Sequence, residues 1–415
     1  MNPAVLVEKR KNALGILNYL IDNGEASRQT LSSELKLSSG TVTNIVTELL
    51  EKRLVLESRQ LRSAVGRKST LLQFNLNLCN IVTASIAVDA SDAVRLAVTN
   101  LGGEVIAESY VQCDLRICKD RSEFEVIKSI IDIFRAFIGA QPESLHQSIF
   151  AIGVCIGGMV HAAQTADSAQ TIDLPLYNWY NVNLISPLSA AMNLPVFIEG
   201  VTRIKALYEM RYIDPSERNI LFLNLSSGVG MVNFFNGKMV LGKYGIAGEV
   251  GHISLNIHGP QCFCGNNGCF EQYCGMNNIL TRIPALLSDE TDVLYDMVVR
   301  KQMPISPELL FAAHRKGSLE VHRLLFEVSE YLGMGLANII NIYDPDRIII
   351  TGYLRGQDDF LIDRAISFAR SRIVKRFDRN ISISRSNLRD ENHHLPISVF
   401  VLKNLLEEFL QGTAT

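Results

Sequence analysis

The sequence predicts an α/β body preceded by a small module of three helices and a hairpin. From Ile81 onward, strand-length apolar runs alternate with segments of helical periodicity, a pattern typical of α/β folds. Before that point, helical apolar stripes are followed by two short strand-like runs. The chain has 415 residues, of which 47% are hydrophobic and 20% charged. It is therefore an ordinary globular protein, long enough for about two to three domains.

The amino-terminal module is built from three predicted helices. The stretch Lys9–Asn23 carries leucines on one helical face, and Ser27 is positioned to cap a second helix. A turn at Leu37–Gly40 leads into a third helix with apolar residues at i, i+3, i+4, i+7 and i+8. The residues expected to face inward on this helix are Val42, Ile45, Val46, Leu49 and Leu50.

A basic hairpin follows the third helix and completes a winged helix-turn-helix, which we expect over residues 1–77. The predicted strands are Leu54–Leu56 and Thr70–Phe74, and the loop between them is rich in arginine. Short polar side chains on the third helix can reach base edges or phosphates. A protein-interaction module is the alternative, but the order of elements favours DNA. The candidate DNA contacts are Arg28, Ser39, Thr41, Thr43, Asn44, Thr47, Arg67 and Lys68.

Charge separates this module from the rest of the chain. Residues 1–75 have a net charge of +4, whereas the whole chain has −3, which leaves −7 on the remainder. A basic module on an acidic body predicts a polyanionic partner for the module alone. No apolar run approaches the roughly 18–20 residues of a membrane span, and the first residues lack a signal-peptide pattern. We therefore expect the cytosol.

Three of the eight cysteines form the motif C-x-C-x4-C with a histidine upstream. The spacing of Cys262, Cys264 and Cys269 includes glycines that permit a tight knuckle, and His252 lies ten residues earlier. Three thiolates and one imidazole make a closed tetrahedral set, which is typical of structural Zn²⁺. Disulfides would need an oxidising compartment and a different distribution. Cys274 is expected to be a packed thiol.

Several motifs resemble those of the ROK family of repressors and sugar kinases, especially its repressor branch. The resemblance covers nearly the whole chain and implies an actin-like, RNase H-like two-domain ATPase fold with a structural zinc site. It implies a first α/β domain over 78–198 plus about 386–415, and a second over 199–385 that contains the zinc site and a degenerate cleft for sugar and ATP. The matching segments are Ser27–Leu31, Leu37–Val42, Gly66–Lys68, Ala247–His252 and Cys262–Glu271.

Kinase chemistry is predicted to be lost, so we expect no catalytic residues. The family's first phosphate turn, Asp-x-Gly-Gly-Thr, is replaced by Asp89–Ala93, which lacks both glycines. The second is only partly retained at Ser226–Gly230. Where family kinases place an aspartate as general base, this chain has Val201, which cannot accept a proton. Loss of a positioned base costs on the order of 10²–10⁴-fold in rate.

Half of the family's sugar site remains. Glu249, His252 and Glu271 match family sugar contacts, whereas Pro175 replaces an asparagine and Trp179 is kept. We expect a carbohydrate or carbohydrate-derived effector. Three alternatives stay open: an anionic ligand facing Arg203 or Lys205, a vestigial pocket, and carboxylates that only support the zinc loop.

The resulting prediction is a homodimeric repressor of genes for carbohydrate metabolism or transport. Its two heads would bind half-sites of a pseudo-palindromic operator, and the effector would lower operator affinity. The alternatives are an active sugar kinase with a regulatory head, and a regulator controlled by a protein partner.

Overall fold

A computed structural model describes residues 3–61, 69–88, 92–162, 170–214, 216–353, 359–374, 381–388 and 393–411. The chain forms two compact units. Unit 1 comprises Met1–Gly158, Leu176–Arg211 and Arg389–Thr415, and unit 2 comprises Met159–Pro175 and Tyr212–Leu388. The amino-terminal module belongs to unit 1. The chain passes between the units at more points than the sequence predicts, because a short hairpin at 159–175 belongs to unit 2.

The helices and strands of unit 1 and of the hairpin that follows are, in chain order, α1 (Pro3–Asn23), β1 (Glu25–Ser27), α2 (Arg28–Glu34), α3 (Ser39–Glu51), β2 (Val55–Leu61), β3 (Ser69–Phe74), β4 (Asn80–Ile86), β5 (Ala93–Asn100), β6 (Val105–Gln112), α4 (Glu123–Gly139), α5 (Glu143–His146), β7 (Ile149–Ile156), β8 (Met159–His161), β9 (Thr171–Leu174), β10 (Trp179–Val182), α6 (Ile185–Met192), β11 (Val196–Gly200) and α7 (Val201–Glu209). The remaining elements are β12 (Ile220–Leu225), β13 (Val229–Phe235), β14 (Lys238–Met239), α8 (Phe270–Cys274), α9 (Met276–Leu280), α10 (Val293–Tyr295), α11 (Pro307–Arg315), α12 (Leu319–Tyr343), β15 (Arg347–Gly352), α13 (Asp359–Arg372), β16 (Ser382–Arg385) and α14 (His394–Gln411).

The winged helix-turn-helix prediction is confirmed in its fold. Ser27 caps α2 by accepting a hydrogen bond from the Thr30 amide at 3.0 Å, as the sequence predicts. Val42, Ile45, Val46 and Leu49 of α3 are buried, whereas Leu50 is half-buried. Strands β2 and β3 pair antiparallel, and β1 pairs with β3 to extend this small sheet.

The two α/β sheets share one topology. In unit 1 the strand order is β11-β7-β4-β5-β6, and in unit 2 it is β14-β13-β12-β15-β16. Each sheet has an antiparallel meander, β4-β5-β6 or β12-β13-β14, and two further strands parallel to the first strand of the meander. A repeated sheet of this order is what the predicted actin-like fold requires.

Helices complete both cores. In unit 2, α12 contributes buried residues along most of its length to one apolar cluster. One face of β12 and one face of β15 contribute to the same cluster. In unit 1, the buried residues of α14 include Ile397, Val401, Leu402, Leu405 and Leu406, whose spacing places them on one face of the helix. Among the described residues, no helix is both long and apolar enough to cross a membrane.

Candidate functional site

The exposed face of α3 is the candidate DNA-reading surface. Ser38 caps this helix by accepting a hydrogen bond from the Thr41 amide at 3.1 Å, so Ser39 occupies an exposed first-turn position. The Thr43 and Thr47 hydroxyls donate to backbone carbonyls four residues earlier, at 2.8 and 2.9 Å. Their hydroxyl protons are thus engaged within the helix, and only their lone pairs and methyl groups can face a ligand.

Of these side chains, Asn44 is the best suited to hydrogen-bond to a base. It is exposed on the same face and offers both a donor and an acceptor, the pair of groups that reads adenine in the major groove. Arg28 lies 3.4 Å from Glu57, so its charge is partly neutralised within the module. Arg67 and Lys68, the predicted wing contacts, lie outside the described residues.

Four predicted metal ligands of unit 2 converge. The donor atoms of His252, Cys262, Cys264 and Cys269 all lie within 4.8 Å of one another. The sulfurs of Cys264 and Cys269 are 3.6 Å apart, as are His252 Nδ1 and Cys262 Sγ. In a tetrahedral zinc site with bonds of about 2.3 Å, ligand atoms lie about 3.7 Å apart. The four donors therefore fit a metal ion of this kind.

Backbone geometry holds this cluster together. The Leu255 amide donates to the Gly268 carbonyl at 2.8 Å, which joins the histidine segment to the cysteine segment. Gly268 has φ +60°, and a Cβ there would lie 1.8 Å from the Asn256 carbonyl oxygen. Only glycine allows so close an approach. The sequence motif thus requires glycine here for packing as well as for the turn.

The thiols of the cluster differ in acidity. Burial alone would raise the pKa of Cys264, but hydrogen bonds from the Asn266 backbone and from the neighbouring thiols outweigh it and lower that pKa. Burial and the adjacent thiols raise the pKa of Cys269 to about 12. A divalent metal bound by these thiolates would displace the Cys269 proton, so metal binding would release protons.

Of the candidate effector groups in unit 2, Glu271 contacts the partly retained phosphate-type turn. Glu271 is half-buried, and its Oε2 accepts a hydrogen bond from the Val229 amide at 2.9 Å. A Cβ on Gly228 would lie 2.3 Å from the same oxygen. Glu249 is half-buried immediately before the short helical turn that contains His252. Glu271 thus fastens the turn that would otherwise offer its backbone to a phosphate.

In unit 1, an ion pair occupies the carboxyl end of β11. Glu199 Oε1 accepts hydrogen bonds from the Gly200 amide at 2.8 Å and from Arg203 at 3.1 Å, and both side chains are only 14% exposed. Burial raises the pKa of Glu199, although Arg203 and the Gly200 amide oppose that rise. Glu199 therefore already balances the charge of Arg203, which counts against the alternative that Arg203 faces an anionic ligand. The i, i+4 spacing of the two residues could have revealed the pair.

Val201, which the family resemblance aligns with the general base of the kinases, is the first residue of α7 and has an aliphatic side chain. Of the first predicted phosphate turn, residues 89–91 lie outside the described residues. The Tyr177 hydroxyl donates a hydrogen bond to the Asp92 carboxylate. Burial and this carboxylate raise the pKa of Tyr177 to about 12.

Trp179 is fully buried and donates its indole N–H to the Leu115 carbonyl at 2.7 Å, so its role is structural.

Comparison with known proteins agrees with this geometry. Residues 85–401 match the protein family described as "ROK family", and residues 9–55 match the one described as "Winged helix-turn-helix DNA-binding". The chain belongs to the ROK family. It carries the additional amino-terminal domain of the family's regulators.

Relatives that match nearly the whole chain include transcriptional regulators. The xylose repressor of Caldicellulosiruptor bescii is 27% identical over 401 residues, covering 96% of this chain and 97% of the relative. The dual regulator NagC of Escherichia coli is 24% identical over 399 residues, covering 95% and 92%.

Solved structures show the same fold. A ROK transcriptional regulator described as a homologue of the E. coli MLC protein matches 98% of both chains with a TM-score of 0.75 at 23% identity. The ROK glucokinase of Streptomyces griseus, solved with glucose and AMPPNP, matches 77% of this chain and 98% of its own with a TM-score of 0.61 at 17% identity.

Proposed function

We propose that this chain is a repressor that binds operator DNA through α3 and releases it when its body binds a sugar. The exposed polar face of α3, on a capped and well-packed helix, is the observation that carries the DNA-binding part. The relatives support the rest, because those that match the full length are named for xylose and N-acetylglucosamine regulation. D-xylose is therefore the first effector to test. The protein would act in the cytosol, where operator DNA lies.

The body would bind its effector without phosphorylating it. Glu249 and Glu271 supply carboxylates for ring hydroxyls, and His252 can use the ring nitrogen that does not face the cysteines. Val201 cannot deprotonate a hydroxyl, and Glu271 already holds the Val229 amide of the phosphate-type turn. Zn²⁺ held by His252, Cys262, Cys264 and Cys269 would fix the segment between Glu249 and Glu271.

The protein would act as a homodimer. A winged helix-turn-helix reads only one short half-site, so specific binding generally needs two heads on a pseudo-palindromic duplex. In such a dimer, a conformational change in the body would alter the distance between the two DNA-binding modules.

A duplex selected from a random pool tests the DNA-binding proposal. The Asn44→Ala variant should bind this duplex about 5- to 150-fold more weakly and lose base preference at one position, since a bidentate base contact contributes about 1–3 kcal/mol. The matched control is Asn404→Ala on the exposed face of α14. Equal affinities of the wild type and Asn44→Ala for the selected duplex would reject α3 as the reading helix.

Sugar binding is tested separately by thermal shift and calorimetry with D-xylose, D-glucose and N-acetylglucosamine. A true effector stabilises the protein by mass action and weakens operator binding. The Glu271→Gln variant should lose roughly 10- to 150-fold in affinity for that sugar, because a hydrogen bond to a charged group contributes about 1.5–3 kcal/mol. ATP-dependent phosphorylation of any of these sugars would refute the proposed loss of chemistry.

A further inference from the structure

The winged helix-turn-helix is packed firmly against the rest of unit 1. Residues of α1 and of α14 belong to one apolar cluster that also includes the core of the amino-terminal module. Phe409, near the carboxyl end of α14, packs on Phe150 with ring centroids 5.7 Å apart. The residues of α1 and α14 that are fully or almost fully buried in this cluster include Ile16, Leu17, Leu20, Leu402, Leu405 and Leu406.

A polar cluster joins three elements at the end of α1. Asp22 Oδ1 lies 3.3 Å from Arg211 Nε and 3.1 Å from Lys403 Nζ of α14. Arg211 also donates a hydrogen bond to the Ile21 carbonyl at the carboxyl end of α1. The side chains of Asp22 and Arg211 are only 28% and 17% exposed, so solvent screens their attraction less than that of a surface pair.

Helix α7 connects this cluster to the carboxyl edge of the unit 1 sheet. Its first residue directly follows β11, where Glu199 is bound to Arg203. Arg211 lies two residues beyond its last residue and packs against the Tyr208 ring, 5.5 Å from the ring centroid. One short helix therefore spans the distance between the end of β11 and the base of the DNA-binding module.

We propose that Asp22, Arg211 and Lys403 form a latch that holds the winged helix-turn-helix in one orientation on the body. This inference rests on the proposed function. Two heads on a rigid dimer meet both half-sites at once, because the second binding event is intramolecular at a high effective concentration. A winged helix-turn-helix that is no longer held in this orientation would keep its own DNA contacts. The second binding event would then lose its high effective concentration. Arg211 is thus a positioning residue for operator binding, not a DNA contact.

The test compares two duplexes with the full-length protein. One duplex carries both half-sites and the other carries one, and both derive from the selected operator. Arg211→Met should weaken binding to the two-site duplex by about 5- to 150-fold, a range typical of coupling between sites. Its affinity for the single half-site should change by less than about twofold. Arg211→Lys, which keeps a cation near Asp22, should recover part of the two-site affinity.

Each other outcome contradicts the latch. Equal losses on both duplexes would show that Arg211 supports the fold of the module, and no loss on either would show that it positions nothing. The control Arg347→Met removes an ion pair of unit 2 with similar burial and should leave the ratio of the two affinities unchanged.

Hydrogen exchange separates the latch from the proposed function. Arg211→Met should accelerate amide exchange in the last turn of α1, residues 18–23, without affecting β12, and this measurement requires no DNA. Unchanged exchange at these residues would overturn the latch even in a protein that binds operator. The converse result is a wild type that binds no duplex, while Arg211→Met still exchanges faster than the wild type at these residues. That result would reject the proposed function and retain the latch.

Discussion

The sheets of the two units have the same strand order, but the side chains at their meander turns and strand ends differ. In unit 2, the turn between β12 and β13 keeps a glycine, and the Glu271 carboxylate holds its backbone. Nearby, four potential metal ligands converge. In unit 1, the corresponding meander turn includes Asp92, which is bound to Tyr177, and the end of β11 carries an internal ion pair and an aliphatic residue.

In the proposed function, this difference separates ligand binding from phosphoryl transfer. Unit 2 has the carboxylate and imidazole groups that we propose contact sugar hydroxyls, and its four potential metal ligands include the same imidazole. In unit 1, Arg203 and Glu199 pair with each other, and the adjacent Val201 cannot act as the base that we propose phosphoryl transfer would need. Under the proposed function, the chain keeps groups for ligand recognition in unit 2, while packing and an ion pair replace the reactive groups in unit 1.

The largest expected effect tests the metal cluster of unit 2. Cys269→Ser should lower zinc content from about one ion per chain to nearly none, as measured by mass spectrometry. Free zinc at 1,000 times its Kd contributes about 4 kcal/mol to folding. For a unit of this size, that loss corresponds to roughly 8–16 °C in Tm. Wild-type protein from zinc-containing medium that holds no zinc and melts with the variant would contradict this.

Cys274→Ser is the matched control for that substitution. This thiol is fully buried five residues away, where it donates to the Val328 carbonyl, and burial raises its pKa. The variant should lose some packing stability but keep its zinc.

A smaller effect is expected at the ion pair of unit 1. Arg203→Met leaves a buried carboxylate without its cation, which should lower the free energy of unfolding by about 1–3 kcal/mol near pH 8. Since the pKa of Glu199 is already raised in the folded protein, removing Arg203 raises it further. The penalty is absent below the folded-state pKa of Glu199 in the wild type, which burial holds above the unfolded value of about 4.3. It grows with pH from there and is complete above the higher folded-state pKa of Glu199 in the variant.

Denaturant unfolding at pH 5 and pH 8 measures this dependence. The difference between wild type and Arg203→Met should be larger at pH 8. The control Arg135→Met breaks an exposed pair with Asp132 and should change stability by no more than about 0.5 kcal/mol at either pH. An Arg203→Met penalty that is equal at both pH values would show that Glu199 is not the group left unpaired.

The smallest effect is expected from restoring a carboxylate in unit 1. Val201→Asp places a potential base at the first position of α7, where the helix dipole favours an anion by about 0.3–1 kcal/mol. Turnover of ATP with D-glucose, D-xylose or N-acetylglucosamine should nevertheless stay undetectable, because Glu271 still holds the phosphate-type turn. Turnover by this variant would show that Val201 alone separates the protein from a kinase.

Local sequence patterns determined much of what the structure contains. The Ser27 cap, the inward face of α3 and the apolar face of α14 from Ile397 to Leu406 follow from helical periodicity and capping chemistry, which act over a few residues. The ligand set around Cys262 could also be predicted, because thiolates at such spacing with glycines have few other uses. The family resemblance supplied the two-domain fold and the position of Val201.

Only the tertiary structure decided which of the charged groups are already engaged. Arg203 pairs with Glu199, Glu271 holds the Val229 amide, and Asp22 meets Arg211 across 189 positions of sequence. Composition and spacing do not determine such long-range contacts, because a buried charge pairs with whichever opposite charge or amide the packed core brings close. The sequence therefore identifies the groups available for DNA, metal and effector, and folding determines which of them remain accessible to a ligand.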